Sequence, residues 1–147
     1  MIHLIRLSLL ASLTLWLTAC GQPQFPTAGG EPVKWDDLRG QWVLVNYWAE
    51  WCKPCLEEIP ELNALDQNPK VRVLGVNYDG KQGQALIKAA QSMGIEFTLL
   101  EEDIGNTMDW EKPLALPVTF VVDPEGKLQE ARFGPQKEQE LLEKMGL

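Results

Sequence analysis

The chain reads as an α/β domain with a central mixed β-sheet flanked by helices. Three observations predict this. Near-continuous apolar runs at 42–48, 71–76 and 118–122 alternate with segments of helical periodicity, the pattern of strands joined by crossover helices. A helical segment follows the first strong strand almost at once, as a β–α–β unit requires. The last two strand runs flank Asp123-Pro124-Glu125-Gly126, a turn signal that makes them arms of a hairpin and adds antiparallel pairing.

Each element has its own cause. Trp42-Val43-Leu44-Val45-Asn46-Tyr47-Trp48 is β-branched and aromatic almost throughout, as a strand buried on both faces is. Over 54–65, Leu56, Ile59, Leu62 and Leu65 recur at three-residue steps and predict a helical stripe. Pro54 suits its first turn, whereas Pro60 predicts a kink or a break. Residues 71–76 form a strand. Residues 83–93 form a helix with Ala85, Leu86, Ala89 and Ala90 on one side, capped by Gly94. A short strand follows at 97–100. Residues 103–111 show no clear pattern. The hairpin arms are 118–122 and 128–133, and 136–145 is a terminal helix.

Composition narrows the function. The chain has 147 residues, one domain's worth, and is 45% hydrophobic, enough for an ordinary core. Its formal net charge of −8 argues against nucleic acid as a partner, because phosphate binding needs a basic face. There is no polybasic stretch for anionic lipid, no internal repeat and no low-complexity tract.

The N-terminus follows a different logic. Arg6 gives a short positive region, 7–17 is mostly apolar, and small residues at Thr18 and Ala19 precede Cys20. The apolar run is short for a membrane span and fits a signal peptide better than a retained anchor helix. Leu17-Thr18-Ala19-Cys20-Gly21 resembles the lipobox of bacterial lipoproteins. That resemblance implies that 1–19 is a signal peptide and that Cys20 is acylated. Residues 20–32, rich in Pro and Gly, then read as the lipidated cysteine and a flexible tether, with the folded domain at 33–147. Loss of Arg6 from the 13 basic residues leaves 12 against 21 acidic ones. Loss of His3, the single histidine, removes that residue type as a metal ligand, general base or triad member.

Export would leave Cys52 and Cys55 as the thiol pair, in a compartment that permits disulfides. They stand at the junction of the first strand and its helix. There the first thiol meets unpaired N–H groups and the positive end of the helix dipole, which stabilises the nucleophilic thiolate. The second, about a turn further in, can resolve a mixed disulfide intramolecularly. Three plainer readings compete. A structural disulfide closing so short a loop contributes little. Half a zinc site lacks a second pair or a histidine. Incidental spacing leaves the flanking Trp48, Ala49, Glu50, Trp51, Pro54 and Glu58 unexplained. No cofactor and no metal is called for.

Trp48-Ala49-Glu50-Trp51-Cys52-Lys53-Pro54-Cys55 resembles the active-site motif of the thioredoxin superfamily. Leu116-Pro117-Val118-Thr119-Phe120-Val121-Val122-Asp123 is similar to its second signature, a cis-proline before a strand. Gly75-Val76-Asn77-Tyr78-Asp79 is similar to a strand end of TlpA-like members. With the lipobox and Glu58, the best match is the TlpA/ResA-like branch of exported thiol–disulfide proteins, over about residues 33–147. The resemblance implies a thioredoxin-like fold and a redox disulfide Cys52–Cys55, with Cys52 attacking and Cys55 resolving. It implies that Pro117, in cis, packs opposite the disulfide. Leu116 then offers backbone hydrogen bonds to an extended substrate, and Trp51 covers the dithiol. Cytosolic thioredoxins carry a buried aspartate six residues before the first cysteine; here that residue is Asn46, which cannot titrate. Glu58, three after Cys55, then takes the acid/base role, while Glu57 is expected to be solvated.

The implied partners are protein disulfide substrates, a membrane electron donor of the DsbD/CcdA type, and the membrane itself through Cys20. The location is the bacterial cell envelope facing the periplasm, with Gly21 favouring the outer membrane. Lys53 favours a thiolate, whereas Glu50 and Glu58 oppose it and favour a reductant. The strongly oxidising relatives usually carry a histidine between the cysteines, which is missing here. One alternative is a thiol reductase of cytochrome c maturation. Another is a non-catalytic lipoprotein that docks a partner. A copper-handling protein would need a CxxxC and a distant histidine, and the environment of a thiol peroxidase is missing.

Overall fold

A computed structural model of the protein describes residues 22–147. Seven strands form one sheet: β1 Gln24–Thr27, β2 Gly30–Lys34, β3 Trp42–Trp48, β4 Val71–Asn77, β5 Thr98–Leu100, β6 Val118–Val122 and β7 Leu128–Phe133. The helices are α1 Lys53–Asp66, α2 Gly83–Met93, α3 Gly105–Met108 and α4 Glu138–Met145. The strand order is β2-β1-β5-β4-β3-β6-β7. Strands β3, β4 and β5 run parallel, while β6 pairs antiparallel with both β3 and β7. The sheet is therefore mixed, as the alternation and the hairpin signal require.

Alternation along β3 sends its residues to two cores. Val43, Val45 and Tyr47 join Phe25, Leu74, Val76 and Phe120 on one face. Leu44 joins Ile59, Leu62 and Leu65 of α1 and Leu141 of α4 on the other. Asn46 shares the second face, because side chains repeat every two residues along a strand. That parity aims it at α1.

Helix α1 runs through Pro60 as a single element, where the sequence predicts a kink or a break. Proline removes the bond that would go to the carbonyl of Leu56, and both residues lie on the exposed side where water can replace it. Leu56, expected in the helical stripe with Ile59, Leu62 and Leu65, is instead 49% exposed. The buried stripe is Cys55, Glu58, Ile59, Leu62 and Leu65. A carboxylate thus occupies the inward position that step-counting gave to leucine.

The tether expected at 20–32 is corrected in its larger part. Residues of β1 and β2 pair as an antiparallel hairpin, and Thr27 pairs with Leu100 of β5. Phe25 and Val33 are buried in the first core, with Phe25 edge-on to Trp35 at 6.0 Å. Two anchored apolar residues suffice to dock a segment whose Pro and Gly content reads as linker; Gly29, with φ 79°, makes its turn. The folded part therefore begins before residue 33. Cys20 and the expected signal peptide at 1–19 lie outside the described residues.

Residues 103–111, which show no pattern in sequence, contain α3 and a left-handed Asp109 with φ 55°. The segment is held by Tyr47, whose hydroxyl donates to Asp103 at 2.6 Å from inside the sheet.

Gly75 in β4 makes room for the floor of the site. A Cβ there would stand 2.9 Å from Phe97, 3.1 Å from Nε1 of Trp48 and 3.2 Å from Leu99. Trp48 is fully buried beneath the cysteine-bearing turn. Gly75→Ala is expected to lower stability by about 1–3 kcal/mol through overpacking, read as a lower denaturant midpoint.

Candidate active site

Strand β3 ends at Trp48, and three residues turn the chain into α1. Cys52 is the N-cap of that helix, with φ −85° and ψ 96°, and Pro54 stands in its first turn. Its Sγ accepts from the Cys55 N–H at 3.2 Å. A sulfur at this place faces the unpaired donors and positive end of the helix, which favour negative charge. Cys52 and Cys55 form a disulfide with S–S 2.04 Å and Cα–Cα 5.3 Å. Cys52 keeps 4% exposure, whereas Cys55 has none. The pair is thus graded in access, with its first sulfur nearer the surface.

The Leu116–Pro117 bond is cis, and Leu116 packs against the core cluster that holds both cysteines. The Pro117 carbonyl accepts from the Gly134 N–H at 2.9 Å, which ties β7 beside it. Trp51, Leu56, Leu114 and Phe133 are four of the five exposed large apolar side chains among the described residues. Each lies within two positions of Cys52, Cys55 or Leu116, or is paired beside Val118. Of these, Leu114 and Phe133 line one apolar hollow together with Trp110 and Phe120.

Trp51 is 64% exposed, and its indole N–H donates to the Asp79 carboxylate at 3.0 Å. Its ring meets Tyr78 edge-on at 6.3 Å, and the Lys112 ammonium stands 4.7 Å over the Tyr78 ring. The indole is therefore fastened to the β4–α2 loop beside the dithiol. Glu50 forms an ion pair with Lys81, so its charge is compensated locally and weighs less on the thiolate than its sequence position suggests.

Beneath the pair is a polar cluster. Four of the five buried polar residues among the described residues converge here: Asn46, Glu58, Thr119 and Gln136. Glu58 Oε1 accepts from Asn46 Nδ2 at 2.6 Å, and its Oε2 accepts from the Gln136 backbone N–H at 2.9 Å. Asn46 Nδ2 also donates to Thr119 Oγ1 at 3.0 Å. Gln136 is fixed in turn by Arg132, which donates to its Oε1 at 2.6 Å. Burial pushes the Glu58 carboxyl up to about 7, against the two donors that hold it down. Glu57 beside it is exposed, as expected.

The sequence-derived residues Cys52, Cys55, Leu116 and Pro117 come together, with Trp51 at the margin and Glu58 below. Asp79 stands in the sequence only as the end of the Gly75–Asp79 strand-end motif, with no role attached to it. Gln136 and Arg132 are marked by no local motif, since each acts across the fold. Thr119 lay inside the Pro-Val-Thr-Phe signature, and its register opposite Asn46 is visible only in the sheet.

Residues 20–131 match the model of the AhpC/TSA family. The chain belongs to the AhpC/TSA family. Several of the curated relatives it resembles are named as thiol–disulfide interchange proteins or oxidoreductases. It is 30% identical over 125 residues to the thioredoxin-like protein YneN of Bacillus subtilis, covering 82% of this chain and 73% of the relative. It is 38% identical over 122 residues to the thiol:disulfide interchange protein HelX of Rhodobacter capsulatus, covering 82% and 68%. Among solved structures, a putative thiol:disulfide interchange protein DsbE from Chlorobium tepidum superimposes with a TM-score of 0.65 at 25% identity, covering 85% and 90%. A thioredoxin family protein from the same organism gives a TM-score of 0.69 at 21% identity and supports the fold alone. Within the family the chain is a thioredoxin-like thiol–disulfide oxidoreductase.

Proposed function

We propose that the protein is an exported, lipid-anchored reductant of protein disulfides, with Cys52 attacking, Cys55 resolving and Glu58 carrying the resolving proton. The observation that carries this reading is Glu58. It is fully buried, three residues after Cys55 on one helical face, with a carboxyl that titrates near neutrality. Asn46, where cytosolic relatives place an acid, cannot do that work.

The reaction starts from the dithiol. The Cys52 thiolate attacks one sulfur of the substrate disulfide, and the other substrate sulfur leaves as a thiolate. Cys55 then gives its proton to the Glu58 carboxylate. Its thiolate attacks Cys52 Sγ, breaking the mixed disulfide and releasing the second substrate sulfur. Two electrons have passed to the substrate, and Cys52–Cys55 is the disulfide seen here. Leu116 supports the docking of an extended client segment through its backbone, beside Pro117 and Trp51. Reduction rather than oxidation is favoured by the buried carboxylate near Cys55 and by the lack of histidine between the cysteines. A membrane donor of the DsbD/CcdA type would recharge the pair.

Glu58→Gln tests this directly. Reduction of insulin disulfides by the dithiol form is expected to slow by about 10²-fold above pH 7 and to lose its rise through neutrality. An unchanged rate and pH profile would reject Glu58 as the proton carrier. Cys55→Ser, expressed in cells, should capture clients as mixed disulfides and name them. Anchoring has its own test: the mature native protein should begin at an acylated Cys20 without a free thiol. Mass spectrometry that finds Met1 retained rejects it. Gly21 favours the outer over the inner membrane, which fractionation would decide.

A further inference from the structure

Asn46 Nδ2 makes both of its hydrogen bonds, to Glu58 Oε1 at 2.6 Å and to Thr119 Oγ1 at 3.0 Å. Its other polar atom, Oδ1, is buried and has no partner. An orphaned buried acceptor costs about 1–3 kcal/mol, so its persistence in a saturated cluster calls for a reason.

The two states of Glu58 supply one. As a carboxylate it only accepts, and Nδ2 is the right partner. As a carboxylic acid it carries an O–H that needs an acceptor. Neither present partner provides that, because Asn46 Nδ2 and the Gln136 N–H both donate. The free acceptor at hand is Asn46 Oδ1. Half a turn of the amide about its terminal torsion, a broad two-fold rotor, exchanges Nδ2 for Oδ1 at Glu58. Thr119 can follow, because a hydroxyl accepts from Nδ2 or donates to Oδ1. The exchange replaces one orphaned acceptor by one orphaned donor, so the cluster is not emptied of bonds in either state.

We propose that Asn46 is a positioning residue that serves Glu58 in both protonation states, its side-chain amide turning over as the proton arrives and leaves. The inference rests on Glu58 being the proton carrier of resolution. Aspartate here would add a second titrating group, and leucine could serve neither state. The other charged and titratable groups facing Glu58 do not take this role. Cys55 precedes it on α1 and is disulfide-bonded in the resting form. Arg132 on β7 is engaged with Gln136 and Glu130. Glu61 and Lys137, from α1 and the start of α4, pair with each other at 3.1 Å.

The test uses the oxidised full domain, in which no exchange occurs, so it can fail independently of the proton-carrier reading. With 13C,15N-labelled protein, the Glu58 carboxyl carbon reports its titration and nuclear Overhauser contacts report the amide. Above the Glu58 midpoint, the Asn46 Nδ2 protons should contact Glu58 Hγ and the Thr119 side chain. Below it those contacts should fade with the same midpoint. Contacts that persist while Glu58 titrates overturn the proposal.

Discussion

Cys52→Ser is expected to lower insulin reduction by at least about three orders of magnitude while leaving the domain folded. The loss follows from position. Cys52 Sγ is the sulfur at the helix N-cap, it alone of the pair keeps any exposure, and it accepts the Cys55 N–H. A serine hydroxyl there is not ionised at neutral pH and cannot form the mixed disulfide. The fold should survive. The bond links residues only three apart, so its chain-entropy contribution is at most about 2 kcal/mol. Cys55→Ser should behave differently, attacking normally but stalling as a trapped mixed disulfide. Turbidity of reduced insulin, with the far-ultraviolet dichroism of each variant, separates the cases. Reduction that continues in Cys52→Ser would remove the pair from the chemistry.

The second large effect is on stability against pH. In the unfolded chain the Glu58 carboxyl ionises at the usual 4.5; in the fold, burial holds its proton up to about 7. Between those values the folded state binds the extra proton. The stability contributed by this group is therefore full below about pH 4.5 and declines as the pH rises to about 7, where it levels off. The decline amounts to about 3 kcal/mol for a fully buried group. Glu61, held below the usual carboxylate range by the Glu138 N–H and Lys137, acts in the opposite sense, adding stability as the pH rises past its unfolded value at the acid end of that window. Urea denaturation of the oxidised protein at pH 5 and pH 8 measures the difference, and Glu58→Gln should abolish most of it. Equal stability of the wild type at the two pH values would mean that Glu58 ionises as a solvated acid does.

The strands that carry the site were legible because burial on both faces leaves a continuous apolar run, as in Trp42–Trp48 and Val118–Val122. The cysteine pair and the proline were legible because their chemistry is local: a helix start and a strand start. The β1–β2 hairpin was not. Its composition is that of a linker, and its docking depends on Phe25 and Val33 meeting residues far along the chain. Burial of Glu58 was harder still. Counting steps of three put Leu56 on the inner face, yet Leu56 is outside and Glu58 inside. The partners that make the buried carboxylate tolerable come from 12 and 78 positions away. Helical periodicity registers polarity, and a polar residue satisfied by distant donors looks the same as a solvated one.

The two donors to that carboxylate differ in how far mutation can reach them. Asn46 holds Oε1 with a side chain, and a single codon change replaces it. Gln136 holds Oε2 with its main-chain N–H, which nineteen of the twenty amino acids would supply. Only proline at 136 would withdraw it. Half of the carboxylate's setting is thus written into the path of the backbone between β7 and α4, where sequence drift leaves it intact. The other half is exposed to selection at one position, so variants of this protein with differently tuned acidity should arise at residue 46 far more readily than at residue 136.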